Sequence, residues 1–338
     1  MRADRARLEA RLRLTRLAIG GWAAQALFAA NELGLFDLLK EIGPATGEQI
    51  AAKLGTDPDA TKRLLGALVA VGVLEHDGDG FANGLAAREF LVSGTPESMS
   101  TWMELIGTWN DTFGKLAESV RTGEPAEVPE EHLGESDEYT RAFILGMHDY
   151  ALGPGHELAR HLDLKSRKRL LDVGGGPGTY SILLAEANPD LSCTVFDLPA
   201  VVAIADEVID KHGLRARVST HGGDYHTDAF PSGYDVVLVS NTLHQEDDES
   251  CLRILKQSYE SLDAGGICVV QAMPLNERQD GPVWPALHNL LMLLVYRGGR
   301  AYTVGQYSDQ LRAAGFKDPT HHTMSIYNAE SYIVARKP

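Results

Sequence analysis

The sequence predicts an α/β protein: a Rossmann-like sheet in the C-terminal half, preceded by a mostly helical, winged-helix-like domain. Three observations predict it. Arg169 to Tyr180, RLLDVGGGPGTY, runs from Leu170, Leu171 and Val173 through Gly174, Gly176 and Gly178 into a segment of helical spacing, Ser181-Ile-Leu-Leu-Ala-Glu-Ala. That is the order strand, tight glycine turn, helix. Further short apolar runs, Thr194 to Asp197 and Tyr234 to Ser240, follow at the intervals of βα units. Upstream, Thr46 to Phe81 reads helix, helix, hairpin, the pattern of a winged helix.

Composition narrows the function classes. The chain has 338 residues, enough for one or two domains with a sizeable core. Its 47 acids outweigh 31 Lys plus Arg, a formal net charge of −16. Such a chain repels phosphate backbones, so nucleic acid is not expected as a partner. Cys193, Cys251 and Cys268 show no paired spacing and read as buried free thiols in a reducing, cytoplasmic setting. The first 16 residues hold six arginines and precede an apolar run from Leu17 to Ala30, which mimics a signal peptide. Asp4, Glu9 and Gln25 interrupt that mimicry, and the apolar pattern continues at helical spacing through Leu33, Phe36 and Leu39. No stretch reaches the ~20 apolar residues that span a bilayer, so no membrane partner is expected.

The first domain is expected over residues 1–100. Residues 10–41 read as one or two apolar helices that a second surface must cover. Thr46-Gly-Glu-Gln49 is a capping box opening a short helix that Gly55 stops. Asp57-Pro58 is an N-cap with a first-turn proline, and Leu64, Leu65, Leu68 and Val71 form the stripe of the next helix. Val73 to Phe81 is a strand, a Gly/Asp turn and a return strand. A winged helix raises the alternative of a ligand-sensing regulator, but Ala60 to Val71 offers only Lys62 and Arg63 to DNA.

A helical connecting region is expected over 101–164. Met99, Trp102, Met103, Trp109 and Phe113 read as helical core and, taken as a set, as a wall for an aromatic ligand. Gly123 to Glu138 carries seven acids, two prolines and no Lys or Arg, a solvated loop or a flap. Tyr139 to Leu162 is one helix, or two broken near Gly153-Pro154-Gly155, with Phe143 and Met147 on one side.

The catalytic domain is expected over 165–338. Asp197 ends the second strand about 20 residues beyond the glycines, placed to accept hydrogen bonds from both hydroxyls of an adenosine ribose. Gly222-Gly223-Asp224-Tyr225 ends a third element, where Asp224 is placed for an amino group and Tyr225 for a purine face. The fourth strand, Tyr234 to Ser240, runs into Asn241-Thr242-Leu243-His244. All these sites lie at strand carboxyl ends, where open α/β sheets bind ligands. A dinucleotide remains an alternative, and with it an NAD-linked oxidoreductase. However, its fingerprint places the third glycine three residues after the second, whereas here the spacing is two. Asp172 just ahead of the turn also suits a cationic amino-acid tail better than a pyrophosphate. Asp248 to Leu262 then reads as a helix, Asp263 to Gly266 as its stop, Ile267 to Met273 as the fifth strand, and Pro282 to Arg297 as an apolar helix. After a helix over Gln306 to Ala314, the runs near Thr320 to Met324 and within Ala329 to Lys337 form an antiparallel hairpin.

Together LLDVGGGPG, VFDLP, GGDY, LVSNTLH, LDAGG and RAAGF resemble class I S-adenosylmethionine-dependent methyltransferases. More narrowly they resemble the small-molecule O-methyltransferases of the caffeate, acetylserotonin and hydroxyneurosporene type, from about residue 15 to the C-terminus. The resemblance implies S-adenosylmethionine as cofactor, with Gly174 and Gly176 near its amino-acid tail and Asp197 on the ribose. It places Leu198, Asp224 and Tyr225 around adenine and Ser240 at the ring edge, where the plant enzymes have lysine. Trp109, Phe143, Met147, Asn289 and Met292 would line the acceptor pocket. The N-terminal domain would form a homodimer and help to close the partner's site. His244 matches the general base of the plant enzymes.

Three departures surround His244. Gln245-Glu246-Asp247 follows it where the family usually has Asp-Trp, and Gln271 (allowing a one-residue gap) and Ala301 replace two glutamates. A glutamine can hold an imidazole N–H but cannot stabilise an imidazolium by charge, so His244 is expected to be a weaker base than in its relatives. Either Glu246 or Asp247 assists, or proximity alone suffices. The expected activity is methyl transfer to a hydroxyl of a small, aromatic molecule, with N-, C- or carboxyl-O-methylation as alternatives. No metal is expected: His221 and His226 beside Asp224, and the pair His321-His322, lack a third ligand at recognisable spacing.

Overall fold

The computed structural model describes residues 2–127, 133–134, 136–324 and 330–338, with side chains from Asp4 onward. Residues 128–132 and 135 of the acidic loop, and Ala329 at the start of the expected last strand, lie outside the described residues. The chain divides into two compact units, Met1–Thr108 and Trp109–Pro338.

Local signals place the elements of the first unit. Helices α1 (Arg2–Glu32) and α2 (Leu35–Ile42) are followed by α3 (Gly47–Leu54), whose Thr46 capping box is complete on both sides. Gly55, at a φ of 69°, ends α3 in the left-handed conformation that favours glycine. The Asp57 side chain accepts from Ala60 N and starts α4 (Pro58–Ala70). Strands β1 (Leu74–Asp77) and β2 (Gly80–Asn83) pair antiparallel, Leu74 opposite Asn83, before α5 (Leu85–Phe90). Ala30, Leu35, Phe36, Ile50, Leu65 and Leu68 form the core. Val71, expected on that stripe, is instead the helix cap and is 49% exposed. Along α1, Leu8, Leu12, Leu14, Leu17, Ile19 and Trp22 are exposed. Helix α6 (Ser100–Phe113) runs across the division between the units.

In the second unit, α7 (Leu116–Thr122) and α8 (Asp137–His161) precede the sheet. Strands β3 (Arg169–Val173), β4 (Ser192–Asp197), β5 (Val218–Gly222), β6 (Tyr234–Ser240), β7 (Leu262–Ala272), β8 (Lys317–Thr323) and β9 (Ser331–Arg336) lie in the order β5-β4-β3-β6-β7-β9-β8. The first five pair in parallel, and β9 lies antiparallel between β7 and β8, the expected hairpin. Helices α9 (Thr179–Ala187), α10 (Pro199–Lys211), α11 (Asp248–Ser261), α12 (Val283–Val295) and α13 (Val304–Ala313) complete the unit. Alternate residues of the central strands enter separate cores. Leu170, Val236 and Leu238 belong to one, and Leu171, Val173, Val237 and Val239 to the other. Both faces of the sheet are therefore covered, as parallel strands require.

The structure decides between two alternatives at α8 and corrects one boundary at the fifth strand. Helix α8 is unbroken through Pro154. Packing against α9 holds it there: a Cβ on Gly155 would meet Leu183 Cδ1 at 2.6 Å, so the glycine permits the close approach that offsets the proline. The Asp263 to Gly266 turn is not separate from the fifth strand. It forms an irregular start to β7, where the register with β6 jumps from Tyr234–Leu262 to Val236–Ile267.

Candidate functional site

A cleft of about 410 Å³ opens at the carboxyl ends of β3, β4 and β6. Its floor is the glycine turn. Gly174, Gly176 and Gly178 have φ of 64°, 53° and 76°, a conformation strained for residues with a Cβ. At Gly174 space is limiting too, since a Cβ would meet Thr242 Oγ1 at 2.8 Å.

Two carboxyl groups face this turn, Asp172 buried and Asp197 half-buried. Asp172 is 0% exposed; Ser181 Oγ donates to its Oδ2 at 2.8 Å, and Oδ1 has no partner among the described residues. Burial pushes its pKa up to about 7. Asp197 accepts from Gly176 N at Oδ2 and from Leu198 N at Oδ1, each at 2.8 Å. Burial raises it to about 6, against the pull of those two N–H groups. Each Asp197 oxygen can accept a second hydrogen bond.

Further round the cleft, Asp224 Oδ1 accepts from His226 N at 2.8 Å, and Tyr225 donates its hydroxyl to Glu246 Oε1 at 2.9 Å. Glu246 Oε1 also lies 3.3 Å from His226 Nε2. Ser240 donates to Gln271 Oε1 at 2.5 Å. All seven residues expected around the cofactor line the one cleft: Gly174, Gly176, Asp197, Leu198, Asp224, Tyr225 and Ser240.

The acceptor set is divided. Phe143 and Met147 line the cleft from α8. Trp109 instead packs into an apolar cluster with Leu291, Met292, Leu294, Val295 and Tyr296, its ring centroid 6.5 Å from that of Phe143. Met292 lies within that cluster, 3% exposed. Asn289 Oδ1 accepts from Ala301 N at 2.8 Å, linking α12 to the following loop. These three residues do not line the cleft.

His244 sits in a 3₁₀ turn, Leu243–Gln245, that begins after Asn241 and Thr242 at the end of β6, between cleft-lining Thr242 and Gln245 but not itself in the lining. It is 8% exposed, and its ring lies edge-on to His288 at 4.7 Å. Burial, then His288, holds its pKa well below the usual histidine value, so the imidazole is neutral. Neither Glu246 nor Asp247 supports it. Glu246 is engaged by Tyr225 and His226, and Asp247 caps α11 through Ser250 N. Nor does Gln271 orient it: that side chain bonds Ser240, Asn241 and Glu330.

Sequence reasoning missed Ile144, Tyr150, Ala151, Tyr180, Asn241 and Tyr296 in the lining. Tyr150 and Ala151 lie three and four residues after Met147, so helical spacing on α8 carried a readable signal for them. Tyr296 closes the cleft from beyond α12, with no such signal.

The residues fit an adenosine with a cationic tail. Asp172 offers a buried, unpartnered acceptor beside the glycines, and Asp197 offers two oxygens with spare capacity for a diol. The buried carboxyl group of Asp172 at the turn disfavours a pyrophosphate.

Comparison with known proteins follows the same division of the chain. The model of the O-methyltransferase domain matches residues 113–317, and that of the O-methyltransferase dimerisation domain matches residues 15–93. The chain is 35% identical to 3-hydroxy-5-methyl-1-naphthoate 3-O-methyltransferase of Streptomyces sahachiroi, over 89% of this chain and 88% of that one. It is 33% identical to the N,N-dimethyltransferase OxyT of Streptomyces rimosus, over 93% of each. The crystal structure of human N-acetylserotonin methyltransferase in complex with SAM superimposes with a TM-score of 0.90, at 28% identity and 97% coverage of both chains.

Proposed function

This chain belongs to the O-methyltransferase family, is an S-adenosylmethionine-dependent methyltransferase and carries the family's dimerisation domain, and we propose that it methylates a hydroxyl of a small aromatic molecule in the cleft before Gly174. The NAD-linked and regulatory alternatives are thereby set aside. The observation that carries the site assignment is the buried, unpartnered Asp172 Oδ1 beside the glycine turn. It gives an ammonium a place to bind and a pyrophosphate none.

The sulfonium supplies an already activated methyl group, so the chain's task is positioning. Asp172 and the Gly174–Gly176 backbone hold the amino-acid tail, and Asp197 holds the ribose. Leu198, Asp224 and Tyr225 enclose the adenine, Tyr225 being fixed by its hydrogen bond to Glu246. Ser240 lies at the adenine edge. Phe143, Met147 and Tyr150 from α8 present an apolar, aromatic wall to the acceptor. Trp109 and Met292 support it from behind, and Asn289 acts indirectly by fixing the loop at Ala301.

His244 receives the acceptor's proton. Its imidazole is neutral and ready to accept, and no carboxylate bonds it among the described residues to strengthen it. Its contribution therefore lies toward the low end of the ~10²–10⁴ typical of a positioned base, or below it. A phenol that ionises easily suits such a site. An amine acceptor is the second reading, favoured by the 33% identity to an N,N-dimethyltransferase.

We further propose a homodimer through the N-terminal unit, which would cover the exposed Leu8, Leu12, Leu14, Leu17 and Trp22 of α1. No helix among the described residues is long and apolar enough to cross a membrane. The three cysteines are buried and free, which supports a cytoplasmic setting. Incubation with methyl-labelled cofactor and a panel of phenols, amines and carboxylates tests the reading. Label is expected on a phenol, and label found only on carboxylates would overturn it.

A further inference from the structure

Two buried side chains to which methyl transfer gives no role, Glu330 and Gln271, link the cleft-lining Tyr150, Ser240 and Asn241 in one chain of hydrogen bonds. Glu330 is 2% exposed, and its carboxylate accepts from Tyr150 Oη at 2.9 Å and from Gln271 Nε2 at 3.3 Å. Gln271, fully buried on β7, turns its other end toward β6, where Oε1 accepts from Ser240 Oγ at 2.5 Å and from Asn241 Nδ2 at 2.9 Å. Gln271 presents its NH₂ to Glu330 and its oxygen to Ser240 and Asn241, and once Glu330 is ionised, with no proton to give, it admits only that orientation. Asn241 must then present its own NH₂ to that oxygen. Its Oδ1 is left over, buried and without a partner among the described residues, on a residue that lines the cleft. The backbone reinforces the placement. Asn241 has a φ of 52°, and its N–H donates to Gln271 O at 2.9 Å.

We propose that Asn241 Oδ1 is a second acceptor for the ammonium of the cofactor's amino-acid tail, and that Glu330, acting through Gln271, is the positioning residue that keeps this oxygen available. The inference rests on the reading that places the tail at Asp172. Asp172 and Asn241 line the same cleft at the ends of strands that pair directly, and each holds a buried side-chain oxygen with no partner among the described residues. Thr242 Oγ1, donating to Val173 O at 3.3 Å, ties those two strand ends together. An ammonium brings three donors and no acceptor, which matches two acceptors with no donor between them. Leaving either oxygen buried and unbonded is costly, so the ligand that binds is the one that satisfies both.

Calorimetric titration of the full chain at pH 8, where Glu330 is ionised, with S-adenosylhomocysteine and with 5′-methylthioadenosine tests this, since the second ligand keeps adenosine and sulfur but lacks the ammonium. Asn241→Ala is expected to weaken S-adenosylhomocysteine about tenfold or more, the effect of losing a hydrogen bond to a charged group, and to leave methylthioadenosine within about twofold. Glu330→Gln, nearly isosteric, no longer dictates which end of Gln271 faces it. It is expected to weaken S-adenosylhomocysteine about threefold or more and to leave methylthioadenosine unchanged. Should Asn241→Ala fail to fold, Glu330→Gln carries the test alone. Equal losses for both ligands, or no loss in either variant, overturn the assignment of Asn241. A wild-type chain that shows no preference for S-adenosylhomocysteine over methylthioadenosine contradicts instead the placement of the tail at Asp172, and the proposal falls with it.

Discussion

Ser181 Oγ donates to Asp172 Oδ2 at 2.8 Å, while the other oxygen of the same carboxyl group has no partner among the described residues. Half of this group is thus fixed by the fold and half is left for a ligand. Its pKa of about 7 follows from burial, which Ser181 only partly offsets.

Cofactor affinity should therefore depend on pH. Pairing with an ammonium needs Asp172 ionised, so binding of S-adenosylhomocysteine should strengthen as pH rises through about 7 and then level off. Asp197, at about 6, adds to the lower part of that rise. Calorimetry at pH 6.5 in two buffers of different ionisation enthalpy should report proton release on binding. Affinity that stays flat from acid to alkaline pH would contradict the pairing.

Stability of the ligand-free chain should run the other way. Asp172, Asp197 and Glu330 all have folded pKa values raised by burial, to about 7, about 6 and about 7. A raised pKa contributes stability that is fully present below the unfolded value of ~4 and lost as pH rises through the folded value. Asp172→Asn should thus gain on the parent as pH increases from 5 to 8, by on the order of 1–4 kcal/mol. Melting temperatures measured across that range would show it, and a difference that does not change with pH would count against a buried, proton-binding Asp172.

His244→Ala should lower turnover about tenfold or more at neutral pH, with affinity for S-adenosylhomocysteine nearly unchanged. Because burial keeps the imidazole neutral, the wild-type rate should show no fall between pH 8 and pH 6 that disappears in His244→Ala. Turnover near that of the parent would mean that alignment alone performs the reaction.

Asp197→Ala should weaken the cofactor by about ten- to a hundredfold, since it removes the acceptors for the ribose and frees the Gly176 and Leu198 N–H groups. Equilibrium dialysis with labelled cofactor would measure the change. Unaltered affinity would show that the ribose lies elsewhere.

That the residues proposed for the cofactor gather in one cleft was legible in the sequence because each sits at a strand end marked by glycine or acid within a few residues of chain. Gly174, Asp197 and Asp224 are fixed by local order and by parallel register, and both can be read without coordinates. Of the residues proposed for the acceptor, those on one helix face, Phe143 and Met147, are the ones that line the cleft. Asn289 and Met292 lie on a helix whose orientation is set by packing against Trp109, which no local pattern encodes. Local sequence leaves the course of α8 open between one helix and two for a related reason. Proline and glycine at positions 153–155 signal a break locally, and contact with α9 overrides it. Gln271 pairs in register with Ser240 across β6 and β7, so its bonding partners were set by tertiary structure rather than by motif.

The central claim is that the turn after Asp172 holds a cationic adenosine derivative. Titration of the wild-type chain and of Asp172→Asn with S-adenosylhomocysteine and with NADH at pH 8 tests it most directly. The account predicts binding of S-adenosylhomocysteine by the wild type, a loss of about tenfold or more in Asp172→Asn, and no saturable binding of NADH by either. NADH binding that tightens when the carboxylate is neutralised would contradict it.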